Sequence, residues 1–326
     1  MKILKNLMVA ILTIGILLTS SFAALADTYD DDYEEDQNEE NQTANNPVDE
    51  LWGIPFLAYG ASLSAAELDE IHRIFGLEGR NFDSVYVDGN DLVYFLGQGN
   101  PNANMLSSVL IQHRDVGTGV EVSILTPDYI TRVTATQYAT AMITAGVTDA
   151  LVEVAAPTAV TGEAALTGIY KAFSERGVEL DEDRMAVAQE QLVVTSSISN
   201  YHEDNEDFDS YVLDQAVLEI QSELAEHYQE TGELATIEEI EDIVVAVLQN
   251  NDLDNIITAD QMQRISGFAD NFQLTDAINS EEFLNQLTDL GNRLGDIVGD
   301  LNINVDRGTL ATWWDNIVSW FRGLFN

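Results

Sequence analysis

The sequence predicts an α+β fold: a small antiparallel sheet with packed helices, followed by an all-helical C-terminal region. Three observations lead there. Short β-branched and aromatic runs flank glycine-centred turns between residues 85 and 125. From Asp181 onward only helical periodicity recurs. The 326 residues are 45% hydrophobic and contain no cysteine. Packing alone must therefore hold the fold, without disulfides, thiolate metal sites or a thiol nucleophile.

Taken in order, Ser64 to Phe75 reads as a helix with Ser64 as N-cap, Leu68, Ile71, Ile74 and Phe75 inward, and Gly76 at its end. Val85 to Val87 and Leu92 to Leu96 flank Asp88-Gly89-Asn90-Asp91, a hairpin signature. Ser108 to Gln112 and Val120 to Leu125 flank Gly117-Thr118-Gly119, a second hairpin, so four antiparallel strands are expected. Thr134 to Ala145 reads helical, Leu151 to Val154 as a short strand, and Gly162 to Arg176 as a helix. Five helices follow: Asp181 to Leu192, Phe208 to Gln229, Ile237 to Gln249, Ala259 to Phe272 and Glu281 to Val298. Thr236 with Glu239 and Thr258 with Gln261 form capping boxes, and Gly232 sits where a left-handed C-terminal residue belongs. This gives a mixed α/β domain over 51–200 and a helical region over 201–300.

Outside these regions composition decides. Lys2 and Lys5 precede an uncharged stretch from Asn6 to Ala26 that ends in Ala24-Leu25-Ala26, the layout of a signal peptide over 1–26 with Ala24 and Ala26 at the peptidase site. The alternative is an uncleaved anchor, since 21 uncharged residues approach the roughly 20 that span a bilayer. Residues 27–50 hold 11 acids and no base, an acidic leader too poor in apolar surface to order itself. Residues 301–311 read as a linker. Residues 312–326 place Trp313, Ile317, Trp320 and Leu324 at helical spacing, with Trp314 and Phe321 widening the face. Such an aromatic amphipathic helix either docks into a groove of the helical region or lies at a membrane interface or partner surface, where indole rings favour the headgroup boundary.

The formal charge is −44, and loss of Lys2 and Lys5 makes it two units more negative, with Lys171 the single remaining lysine beside ten arginines. Arginine keeps its charge at high pH, where lysine, with a pKa of about 10.4, begins to lose it. High salt also fits, because self-repulsion is screened when the Debye length falls to about 3 Å near 1 M. Nucleic acid is a poor partner for such a chain. Cations and cationic envelope components are the fitting ones.

Ser107 to Ile111, then Thr144-Ala145-Gly146-Val147-Thr148-Asp149-Ala150, then Pro157 to Ile169 with its Thr161-Gly162-Glu163-Ala164-Ala165-Leu166-Thr167-Gly168 run, form a distinctive series, joined by Tyr59-Gly60 and Leu63-Ser64. In these stretches the chain resembles the YpuA-like family of secreted proteins from Gram-positive bacteria, a domain-of-unknown-function family. The resemblance implies export and an intact fold, and transfers no activity, substrate or site residue.

The residues that carry chemistry give no catalytic constellation. Ser108 and His113 lie five apart on one strand and point to opposite faces, away from each other. His72 sits near Glu67 and Asp69, and His202 in an acidic run, without the His-x-x-x-His spacing of a zinc site. His227, with Glu223 and Glu230 on its helix, reads as a solvated face. Asp252, Asp254 and Asn255 lack the glycine and closing glutamate of a calcium loop. Gly97, Gly99, Gly117 and Gly119 lack the lysine and helix start of a phosphate loop. No cofactor is expected. The reading is an exported, non-enzymatic extracellular or cell-envelope-associated binding protein. The alternative is a secreted hydrolase whose carboxylates only the fold assembles.

Overall fold

The structure is a computed structural model that describes residues 53–97 and 99–300, all within the unit Asn45–Asn326. The signal segment with Ala24 and Ala26, the acidic leader, the linker and the aromatic segment carrying Trp313, Trp314, Ile317, Trp320, Phe321 and Leu324 lie outside the described residues.

The architecture is α+β, with five strands in the order β2-β1-β3-β5-β4. Strand β1 (Phe56–Gly60), absent from the sequence reading, buries Phe56, Leu57 and Ala58 in succession, so it shows no in-out alternation. Helix α1 (Ala65–Ile74) then leads to β2 (Asp83–Val87), which pairs parallel to β1. Strand β3 (Ser108–His113) runs antiparallel to both β1 and β5 (Ala150–Ala155). Strand β4 (Glu121–Ile124) pairs parallel to β5, with α3 (Ala135–Thr144) between them in sequence. Each parallel edge is thus a strand-helix-strand crossover, the connection that parallel neighbours require.

Both expected hairpins are replaced. Val85 to Val87 belong to β2, but Leu92 to Leu96 lie in α2 (Gly89–Leu96). The Asp88 carboxylate accepts from the Asn90 and Asp91 amides while Asp91 accepts from the Asp88 amide, so Asp-Gly-Asn-Asp starts a helix and does not turn a hairpin. Ser108 to Gln112 and Val120 to Leu125 do contain β3 and β4, yet β5 lies between them. Asp149, at φ 45°, fixes that arrangement: its carboxylate accepts from the Gly117 and Gly119 amides at 2.9 and 2.8 Å, and its carbonyl accepts from Arg114. The turn is tied to the start of β5 instead of closing β3 onto β4.

One sheet face packs Ala58, Val109, Ile111, Val152 and Val154 into the main core with α3 and α4 (Ala165–Glu175). The other buries Leu57, Leu110 and Ala155 under Ile71, Phe75 and Leu77 in a smaller cluster. Gly60 has no room for a side chain, because a Cβ there would run into the Met105 carbonyl group.

The helical region follows the sequence closely: α5 (Glu182–Tyr201), α6 (Ser210–Thr231), α7 (Ile237–Asn250), α8 (Ala259–Gln273), a 3-10 turn (Asp276–Asn279) and α9 (Glu281–Asp300). The capping boxes at Thr236 and Thr258 form, and Gly232 ends α6 at φ 73°. Helix α6 is buried on nearly every side through its first four turns. The main core runs unbroken from Phe56 to Leu294, so sheet and helices share one interior. Among the described residues no helix is long and apolar enough to cross a membrane.

Candidate binding cleft and buried polar layer

Two populations of polar side chains stand out. The first is internal. Thr144 Oγ1 donates to Gln191 Oε1 (2.7 Å), Gln191 Nε2 donates to Gln221 Oε1 (3.3 Å), and Gln221 Nε2 donates back to Thr144 Oγ1 (3.1 Å). This closed ring joins α3, α5 and α6. Near it on α6, Asp214 accepts from the N-cap hydroxyl of Thr134 at 2.8 Å, and Glu219 accepts from Asn251 Nδ2 at 2.7 Å. Both carboxyls are almost wholly buried. Burial pushes each up to about 7, against the smaller opposing pull of the Thr134 and Gln137 bonds on Asp214 and of the Asn251 bond on Glu219.

The second population lines clefts. A cleft of about 760 Å³ opens between α2, the end of α4 and the start of α5. Tyr94, 77% exposed, and Phe95 form an edge-to-face pair on one side, with ring centroids 4.8 Å apart. The segment Val178-Glu179-Leu180-Asp181-Glu182-Asp183 and Met185 form the other, with Tyr170 and Ser174 from α4 completing the lining. Tyr170 is 1% exposed and its hydroxyl has no hydrogen-bond partner. No basic side chain lines this cleft. A groove of about 780 Å³ between α5 and α8 differs, carrying Arg264 among Asp183, Glu190 and apolar residues.

A smaller cleft of about 280 Å³ gathers Thr134, Ser199, His202, Glu203, Asp209 and Ser210. Here a histidine, serines and acids come together, but the His202 Nε2 bond goes to Gln261 Oε1 at 3.0 Å. The His202 ring is held between Tyr201 and Phe208. Ser199 accepts from Gln137, and the Asp209 carboxylate caps α6.

The other sequence-flagged residues stay apart. Ser108 pairs with Ala155 and His113 with Ala150, at opposite ends of β3 and about 17 Å apart at the usual strand rise. His72 packs against the Phe82 ring. Asp252, Asp254 and Asn255 occupy the α7–α8 loop, and among the described residues no group of three His, Cys, Asp or Glu could hold a metal ion. The sequence reading missed Tyr94 and Phe95, taken there as strand residues, together with Tyr170 and the acids at 179–183. The available signal was the apolar-acid alternation of Val178-Glu179-Leu180-Asp181 just ahead of a helix start. Asp214 and Glu219 were overlooked because they lie beside, not on, the apolar stripe Leu213, Val217, Ile220 and Leu224.

Residues 59–290 match the family described as "Protein of unknown function (DUF1002)", and the chain belongs to that family. Among its relatives, "Uncharacterized protein YpuA" of Bacillus subtilis (strain 168) is 32% identical over 160 residues, which cover 47% of this chain and 53% of that protein. The chain thus spans about half the length of this curated relative. No solved structure matches it.

Proposed function

We propose that this is an exported, non-enzymatic binding protein of the extracellular space or cell envelope. The observation that carries the reading is where the unusual carboxyls lie. Asp214 and Glu219, the two acids with a pKa suited to proton transfer, are held in helix packing and line none of the three clefts. The acids that do line the 760 Å³ cleft face solvent beside aromatic rings, an arrangement for binding. The Ala24-Leu25-Ala26 site and the high negative charge support export.

Fractionation of the tagged chain between medium, wall, membrane and cytoplasm tests export, and accumulation of the chain in the cytoplasm would overturn it. Contact with a membrane or partner through Trp313, Trp314, Ile317, Trp320, Phe321 and Leu324 belongs to the same proposal. Truncation before Thr312 is expected to leave a folded protein that no longer sediments with liposomes. The hydrolase alternative has one observation in its favour, the cleft that joins His202 with Ser199, Ser210 and Asp209. A turnover with ester or amide substrates that disappears in His202→Ala would establish it.

A further inference from the structure

The groove between α5 and α8 has the pattern of a helix seat. Along α5 its lining residues Asp183, Val187, Glu190 and Val194 recur at spacings of four, three and four. Along α8 Arg264, Gly267, Asn271 and Leu274 recur at three, four and three. Stripes at this spacing stay on one face of each helix and interlock with a third helix that repeats it. The face is nonetheless open, with Leu274 66% and Val193 36% exposed and Gly267 leaving space where a side chain would stand. The two helices run antiparallel, since Asn271 Nδ2 donates to Glu190 at 2.8 Å and Arg184 faces Asp276 at 3.6 Å. Arg264 therefore stands at one end of the groove and Asp183 at the other. The Arg264 guanidinium has no ion-pair partner among the described residues.

We propose that the aromatic segment 312–326 of the same chain docks in this groove as a third helix. Trp313, Ile317, Trp320 and Leu324 recur at four, three and four, the spacing of the α5 stripe, and cover the same length of about 17 Å as a helix. The only charges of the segment, Asp315 and Arg322, lie seven residues apart on one flank. Charge then selects one direction: Asp315 meets Arg264, and Arg322 lies about 10 Å further along, toward Glu190 and Asp183. The reverse direction would set Arg322 against Arg264 and Asp315 against the acids. Chain length permits the return. Helix α9 begins just past the Thr275 end of the groove and is about 30 Å long. Residues 301–311 can extend to about 38 Å. The docked helix covers its own aromatic face, so docking would hold back the membrane or partner contact proposed above, and that regulatory half rests on the earlier reading.

The absence of cysteine makes the test clean, because only introduced thiols can be joined. The full chain carrying Gly267→Cys with Ile317→Cys is treated with a short bis-maleimide, and the product is read by mass. An intramolecular cross-link is expected in at least fivefold higher yield than for Asp69→Cys with Ile317→Cys, whose first thiol lies on exposed α1. Adding Arg264→Glu should lower the yield about fivefold, and adding Asp315→Arg to that variant should restore it. Thermal melts show that each variant is folded. A yield no higher than that of the Asp69 pair would overturn the proposal, as would a cross-link formed only between two copies, which would make the groove an intermolecular contact. Failure of the charge exchange to restore the yield would overturn the assigned direction. Liposome sedimentation is read on the same cross-linked and untreated chains, and the cross-linked chain is expected to sediment at least fivefold less. A chain that cross-links but never sediments fails only the membrane contact, and one that sediments without cross-linking fails only the docking.

Discussion

The helix junction of α3, α5 and α6 and the cleft at the start of α5 are built from the same kinds of residue and use them in opposite ways. There Asp214, Glu219, Gln191 and Gln221 are enclosed, and their hydrogen bonds tie α6 to the start of α3, to α5 and to the end of α7. Their hydrogen bonds set which helices adjoin, and an unmatched partner there carries the full cost of desolvation. At the cleft Glu179, Asp181, Glu182 and Asp183 are exposed. Little stability depends on Glu179, Glu182 and Asp183. In a chain with 57 acids, environment and not residue type separates enclosed carboxyls from exposed ones.

The comparison can be broken most easily from the inside. Gln191→Leu leaves Thr144 without its acceptor and Gln221 without its donor. It should lower the unfolding free energy by about 2–3 kcal/mol in urea denaturation, and a loss below about 0.5 kcal/mol would show that the ring carries no weight.

The buried acids give the next effect, and their sign is fixed. Their folded pKa of about 7 exceeds the unfolded values of 3.8 and 4.5, so their stabilising protonated form is complete below about pH 4. Between about pH 4 and 7 the unfolded chain releases these protons first, and stability falls with rising pH at up to about 1.4 kcal/mol per unit for each group. Asp214→Asn with Glu219→Gln mimics the protonated forms. The wild-type protein should lose stability relative to this variant between pH 4.5 and 8, read from denaturation midpoints at several pH values. Parallel curves would place both carboxyls in a wetter setting than the structure shows.

Asp181 belongs to both regions, because this cleft acid also caps α5 by accepting from the Arg184 amide at 2.9 Å. Asp181→Ala is expected to cost about 1 kcal/mol, and Asp181→Asn a good deal less. Smallest of all, Glu179→Gln with Glu182→Gln should change stability by no more than about 0.5 kcal/mol. A large loss of stability there would make these acids structural and erase the distinction between the two regions.

Helix starts were legible where their cause is local. Ser64 with Glu67, Thr236 with Glu239 and Thr258 with Gln261 each complete a capping box within four residues, and all three form. The same box at Asp88 and Asp91 was equally present in the sequence, but its Asp-Gly step matches a hairpin turn, and the apolar run after it does not distinguish strand from helix. Strand β1 escaped because burial on both faces leaves no alternation to read. The cleft at the start of α5 was not legible at all, since its three walls come from separate stretches of chain, residues 94–95, 170–174 and 178–185.

What the sequence determined by itself was the class of fold, the capped helices of the second half, the reliance on packing without cysteine, and a strongly negative charge. These follow from composition and from interactions a few residues long. The tertiary structure decided the strand order β2-β1-β3-β5-β4, the enclosure of Asp214 and Glu219, and the meeting of Tyr94, Tyr170 and Glu179 around one opening. Sheet register and side-chain burial depend on which distant segments pack together, and that choice minimises exposed apolar surface over the whole core instead of within any one segment.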